Sequence, residues 1–172
     1  MKQTAKDLPE IWKVDVEHEI TESEGLRTSN LLAVLTVPPQ LPTDYKLIPG
    51  IGYYKFHNET ARNFDDAEEI CSKEGGHLAI INSEEESNAL KGSIYGFAYI
   101  GFHDRIKEGE FITIFGQSLK YTGFNRWSAS YEPNGGTSEN CGSLHPNGGI
   151  NDISCNINIP FICEYDLSWI DG

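Results

Sequence analysis

Apolar and polar residues alternate one by one through Trp12-Lys13-Val14-Asp15-Val16-Glu17-His18-Glu19-Ile20, the period of a half-buried strand. Asn30 to Val37 reads as a second strand, closed by Pro38-Pro39. Glu22-Ser23-Glu24-Gly25 between them is turn material, so a hairpin is expected. Pro38, Pro39, Pro42 and Pro49 with Gly50 then make a stiff linker. Gly52 to Phe56 predicts an opening strand. Thr60 is expected to cap a helix running to about Glu74, with Phe64, Ala67, Ile70 and Cys71 on its apolar face and Gly75-Gly76 ending it. His77 to Ile81 is a short apolar strand. Ser83-Glu84-Glu85-Glu86 forms a capping box, Ser83 at N-cap and Glu86 at N3, opening a second helix to about Lys91. The glutamate run is expected to be a solvated helix start that complements the dipole.

Beyond Ala98 short strands alternate with long Gly-, Asn- and Pro-rich stretches, and no further helix is expected. Two helices followed by strands and loops make an α+β fold. The division is residues 1–50 as an N-terminal extension, 51–167 as the main domain and 168–172 as a tail. A two-stranded hairpin alone is marginal in water, so it must lie on the main domain or pair with another protomer.

Charge narrows the partners. The 172 residues carry 13 Lys and Arg against 26 Asp and Glu, a formal net charge of -13. Nucleic acid and anionic membrane surfaces both need a basic footprint and are excluded as expected partners. An acidic surplus suits solubility, or a site that concentrates a cation. No stretch approaches the roughly 18 apolar residues of a membrane span, and Leu31 to Val37 is the longest apolar run. MKQTAKDLPEIW lacks a hydrophobic run after its basic residues and does not read as a signal peptide, so Met1 is expected to be an initiator on a mature chain.

Cys71, Cys141, Cys155 and Cys163 include no C-x2-C pair, which excludes a four-ligand zinc pattern. An even count points to two disulfides and an oxidising compartment, with three pairings open from sequence. Asn58-Glu59-Thr60 is an N-glycosylation sequon.

The stretch from Tyr131 to Asp152 gathers oxygen-bearing side chains: Glu132, Asn134, Glu139, Asn140, Asn151 and Asp152. All-oxygen sets select hard cations, and a flexible set of this size suits calcium better than magnesium. A glycine-rich loop holds like charges together only against repulsion and lost entropy, and a divalent cation reverses both costs. A cis bond between Glu132 and Pro133 would turn the side chains on either side toward one point.

With these residues in order, residues 52–165 resemble a C-type lectin-like domain. Glu132-Pro133-Asn134 is similar to that family's mannose-type tripeptide. Asn151-Asp152-Ile153-Ser154-Cys155 resembles its second signature, with Ile150 where Trp is usual. Tyr99-Ile100-Gly101-Phe102 stands for the family's core strand and Glu108-Gly109-Glu110-Phe111 for the strand after it. The resemblance implies the C-type lectin-like fold and the pairings Cys71–Cys163 and Cys141–Cys155. The second closes a loop on the order of 15 residues for about 3 kcal/mol, and the first is worth about 4 to 5 kcal/mol. Pro42 to His57 and the cysteine-free leader look most like insect immune lectins, which bind microbial surface sugars in body fluid.

That resemblance implies that Glu132, Asn134, Glu139, Asn151 and Asp152 coordinate a principal calcium ion and also bind carbohydrate. Two vicinal sugar hydroxyls complete the coordination in this family. The order Glu-Pro-Asn implies a preference for equatorial 3- and 4-hydroxyls, as in mannose, over galactose. An auxiliary calcium would use Asp104, Glu108, Glu139 and Asn140, although Gly135 and Asn140 fall where acidic residues are usual. The implied partners are mannose-type glycans of bacterial or fungal surfaces, the implied location is secreted, and homo-oligomers through the extension are expected.

Other readings attach to single residues. Asn147 serves a turn and His145 is a loop histidine. Trp127 and Tyr131 are expected to be structural aromatics at the base of the loop. An enzyme is not expected, since calcium-bound carboxylates stay ionised and no nucleophile sits in a motif. The alternative function is a domain of the same fold that binds a protein partner.

Overall fold

The computed structural model describes residues 13–23, 25–36, 42–93 and 95–166. They fall into two units, a hairpin and a larger unit within Leu41–Leu167. In the hairpin, β1 (Lys13–Ser23) runs antiparallel to β2 (Leu26–Thr36), from Lys13 opposite Thr36 to Ser23 opposite Leu26. Both strands reach further toward the turn than the alternation predicts, because cross-strand hydrogen bonding tolerates Thr21, Glu22 and Arg27 there. Trp12, Val37, Pro38, Pro39 and the tail 168–172 lie outside the described residues.

The larger unit is built on one sheet. Its order is β3 (Lys46–Ile48), β4 (Gly52–Ala61), β10 (Ile159–Tyr165), β6 (Ala98–His103), β8 (Cys141–Leu144) and β9 (Ile150–Ile153). Two short strands, β5 (His77–Leu78) and β7 (Ile112–Thr113), pair with β10 and β6. With helices α1 (Phe64–Lys73) and α2 (Glu84–Leu90) this is an α+β fold, as expected. Within the stretch expected to be a linker, Lys46 to Ile48 form β3 and pair with β4.

β6 is buried along its whole length, and its alternation serves two cores. Ile100 and Phe102 join Tyr54, Leu90, Phe124, Ile150 and Ile162 on one side. Tyr99 joins Phe64, Leu78, Phe161 and the cystine sulfurs on the other. Cys71 bonds Cys163 and Cys141 bonds Cys155, with Cα–Cα separations of 5.4 and 5.0 Å.

Several local expectations are corrected. The opening strand does not stop at Phe56. Thr60 belongs to β4, which continues because Ala61 pairs with Ile159 of β10, and α1 is capped by Asn63 instead, whose side chain accepts from Asp66 N–H at 2.8 Å. Gly75, at φ +86°, follows the helix end as expected. Only His77 and Leu78 of the stretch to Ile81 are strand. Glu108 to Phe111 is a loop, with the Gly109 N–H donating to Asp104 at 2.8 Å, and the strand begins at Ile112.

Glu84 and Glu85 are exposed, whereas Glu86 is buried at 1% exposure, which overturns the solvated reading for that residue. Ser83 accepts from Glu86 N–H, completing half of the capping box. The Glu86 carboxylate turns inward, taking the Asn82 N–H and the Tyr54 hydroxyl, each at 2.7 Å. Burial raises its pKa to about 7, and burial does the same to Glu164, which accepts from Ile80 N–H nearby.

Candidate metal-binding loop

Residues 128–140 pass over the β8–β9 hairpin, and that hairpin supplies the fixed half of the site. Pairing sets Gly142 opposite Asp152 and Ser143 opposite Asn151. Both site residues of β9 are nearly inaccessible, Asn151 at 8% and Asp152 at 1%. Ser143 donates its hydroxyl to Asn151 C=O, and Ser128 donates to Asn151 Oδ1 at 3.2 Å.

The loop supplies the other half. Asp152 accepts from the backbone N–H of Asn134 at 3.1 Å and of Gly135 at 2.9 Å, which pins the residues after Pro133 against β9. The Glu132–Pro133 peptide bond is cis. Gly135 is required by contact: a Cβ there would stand 2.1 Å from the Glu139 side chain, which lies across it. That explains the missing acidic residue at position 135. Glu139 occupies the space.

Electrostatically the site is unsatisfied. The Glu132 pKa is raised to about 7, first by burial, then by the Asp152 carboxylate beside it and by Glu139. Burial and Asp152 also raise Glu139. Glu132 Oε2 is buried with no hydrogen-bond partner. Such an oxygen among like charges fits a hard divalent cation, which removes the repulsion and takes the free lone pair. Calcium is the ion this donor set suits, and Glu132, Asn134, Glu139, Asn151 and Asp152 would hold it.

Of the four auxiliary candidates, Asp104 and Glu108 lie on the segment between β6 and β7, whereas Glu139 and Asn140 belong to the loop itself. Asp104 is buried, with Oδ1 unpartnered, and burial followed by Asp104 and Asp152 raises Glu108. Asn140 contributes differently: its C=O accepts from Asp104 N–H and its amide donates to Thr137 C=O.

Among the described residues, His57, Glu74 and Cys163 bring three ligand-type atoms within 4.8 Å of one another. That cluster is no metal site, because Cys163 is in a disulfide and Glu74 already holds Lys55 and His57.

The aromatics divide. Trp127 packs edge-on to Phe111 at 5.1 Å and is structural, but Tyr131 is 71% exposed and so is not at the base of the loop. Asn147 spans a turn, accepting from Gly149 N–H and donating to Ser128 C=O, and the ring of loop residue His145 accepts from Asn147 N–H. Asn58 is exposed on β4.

A mixed sheet with two helices, two cystines at these places and an oxygen-lined loop crossing the outer hairpin define a C-type lectin fold. The chain belongs to the C-type lectin domain family, whose model matches residues 60–165. It is 45% identical, over 92% of its own length and 68% of the other's, to a hemolymph lipopolysaccharide-binding protein of Periplaneta americana. Pulmonary surfactant-associated protein D of Bos taurus is 36% identical over 60% of this chain, of which the match spans 28%. The carbohydrate-recognition domain of the mouse scavenger receptor C-type lectin superposes with a TM-score of 0.64 at 29% identity, covering 73% of this chain and 97% of that one. A calcium-independent type II antifreeze protein superposes at 0.63 with 25% identity, covering 72% and 92%. The family is one of non-enzymatic lectins.

Proposed function

We propose that this chain binds mannose-type sugars through one calcium ion, on glycans of microbial surfaces, as a secreted lectin of innate immunity. The observation that carries this reading is the buried, partnerless Glu132 oxygen facing Asp152 and Glu139 beside Asn134. When bound, calcium supplies two coordination positions for vicinal hydroxyls. The side chains then finish the recognition: each amide donates and each carboxylate accepts at the same hydroxyl. The Glu132-then-Asn134 order supports equatorial 3- and 4-hydroxyls. The relative named for lipopolysaccharide binding in hemolymph supports a microbial glycan and an extracellular setting, and two disulfides agree with the latter. The auxiliary ion at Asp104, Glu108, Glu139 and Asn140 is part of the same proposal.

Titration with mannose and with galactose, each in calcium and in chelator, tests it. Binding of mannose around millimolar, weaker for galactose and lost in chelator, is expected. A second reading is a domain of the same fold that binds a protein partner; the calcium-independent type II antifreeze neighbour supports only that this fold also serves without the ion. Calcium binding without affinity for either sugar would select it.

Millimolar sites capture surfaces only in multiples. We infer that the hairpin assembles copies of the chain, and that the two units correspond to an assembly module and a recognition domain. Register places Val16 opposite Ala33 and His18 opposite Leu31, with Ile20 on the same face. Val16, Ile20 and Leu31 are 59, 45 and 70% exposed. Sedimentation of the full chain is expected to give a dimer or larger, and a monomer for Val16→Asp/Leu31→Asp. A native monomer at high concentration rejects the inference.

A further inference from the structure

A pocket of about 410 Å3 opens beside the metal-binding loop and shares Pro133 with it. Its floor is apolar: Phe111, Leu119 and Trp127, the first two at 9 and 6% exposure. Its polar margin includes Asn125, Lys120 and Glu110, all exposed, and the Glu110 carboxylate is paired with Lys107. The Asn125 and Lys120 side chains have no hydrogen bond or ion pair with another described residue. The neighbouring cations are all engaged: Lys107 by Glu110, Arg105 by Asp65 and Arg126 by Glu84. Lys120 is therefore the uncommitted positive charge at this pocket, on a chain whose net charge is -13.

The chemistry of the lining selects the occupant. An aromatic and aliphatic floor receives the C–H face of a sugar ring, and a free amide at the margin can donate to and accept from ring hydroxyls. The volume lies in the range of small-ligand sites, roughly 300–1,000 Å3. Pro133 stands between Glu132 and Asn134, so a ring in this pocket adjoins the sugar those residues would hold. The free ammonium adds a preference for negative charge on the second ring.

We propose that the pocket is a second sugar subsite, taking the residue linked to the one at Glu132 and Asn134, and that Lys120 selects an anionic substituent on it. The inference rests on the calcium-dependent sugar reading above and names the glycan class: an acidic oligosaccharide, bearing phosphate or carboxylate one residue from the primary sugar.

Calorimetry on the full chain in calcium tests it with four probes. These are methyl α-mannoside, a neutral mannobiose, the same disaccharide phosphorylated on its second residue, and a disaccharide with a uronic acid there. The neutral disaccharide is expected to bind about threefold tighter than the monosaccharide. An anionic group should add about fivefold more at low salt. Lys120→Glu, on an exposed 3-10 turn, should erase that last gain and leave methyl mannoside affinity unchanged. A gain with phosphate alone assigns the anion as phosphate, and equal gains assign a general anion subsite. Disaccharides no tighter than methyl mannoside, or an anion gain that survives Lys120→Glu, overturn the subsite while the sugar reading stands. No binding of methyl mannoside overturns both.

Discussion

Asp152→Asn is expected to weaken calcium binding at least about 100-fold and to abolish mannose binding, while the calcium-free protein melts within a few degrees of the native chain. Asp152 is fully enclosed on β9 and takes two backbone N–H groups from the loop while facing Glu132 and Glu139. Its single charge therefore does two opposed things. With the ion it is part of the attraction; without the ion it repels two carboxylates. Asn keeps an acceptor for the loop N–H groups but removes the charge, so relief of repulsion offsets the poorer hydrogen bonds in the empty state. The two readouts must separate for the residue to be a ligand. If calcium affinity survives, or the calcium-free protein loses its fold, Asp152 is a structural residue instead.

The double substitution Cys71→Ala/Cys163→Ala is expected to cost about 4 to 5 kcal/mol, lowering the melting temperature by roughly 10 to 20 °C. The bond joins residues 92 apart, so in the unfolded chain it removes far more freedom than Cys141–Cys155, whose separation is 14. Both of its sulfurs lie in the core between α1 and β10, packed with Phe64, Leu78 and Tyr99, so the alanines also leave a void. Calorimetric melting in calcium would read the loss. A drop under about 3 °C would mean that the sheet and α1 hold this region without the link.

The candidate site was legible because its residues sit in short runs. Glu132-Pro133-Asn134 and Asn151-Asp152 are consecutive, and β-pairing needs only to lay one run beside the other. Contacts between distant segments were not legible. Thr60 and Asn63 are both good caps, and the choice fell to Asn63 because β10 extends β4 through Ala61. Glu86 read as one more solvated glutamate, yet a hydroxyl from Tyr54, 32 residues earlier, draws it inside. Glu108 to Phe111 carries an apolar end like a strand, but Asp104 claims its backbone and bends it. The pocket beside Pro133 joins residues 109–112, 118–120, 125 and 127, and no single stretch announces it.

The sheet order has a consequence for tethering. β4 begins and β10 ends side by side, Tyr53 facing Tyr165, near one margin of the sheet, while β9 with Asn151 and Asp152 forms the opposite margin. A leash fused at either end of the larger unit therefore attaches on the flank away from β9, the strand proposed to hold the sugar. Copies anchored to a bead, a sensor chip or a synthetic scaffold through either terminus should all keep that strand turned outward, which makes the unit a natural building block for dense, uniformly oriented arrays.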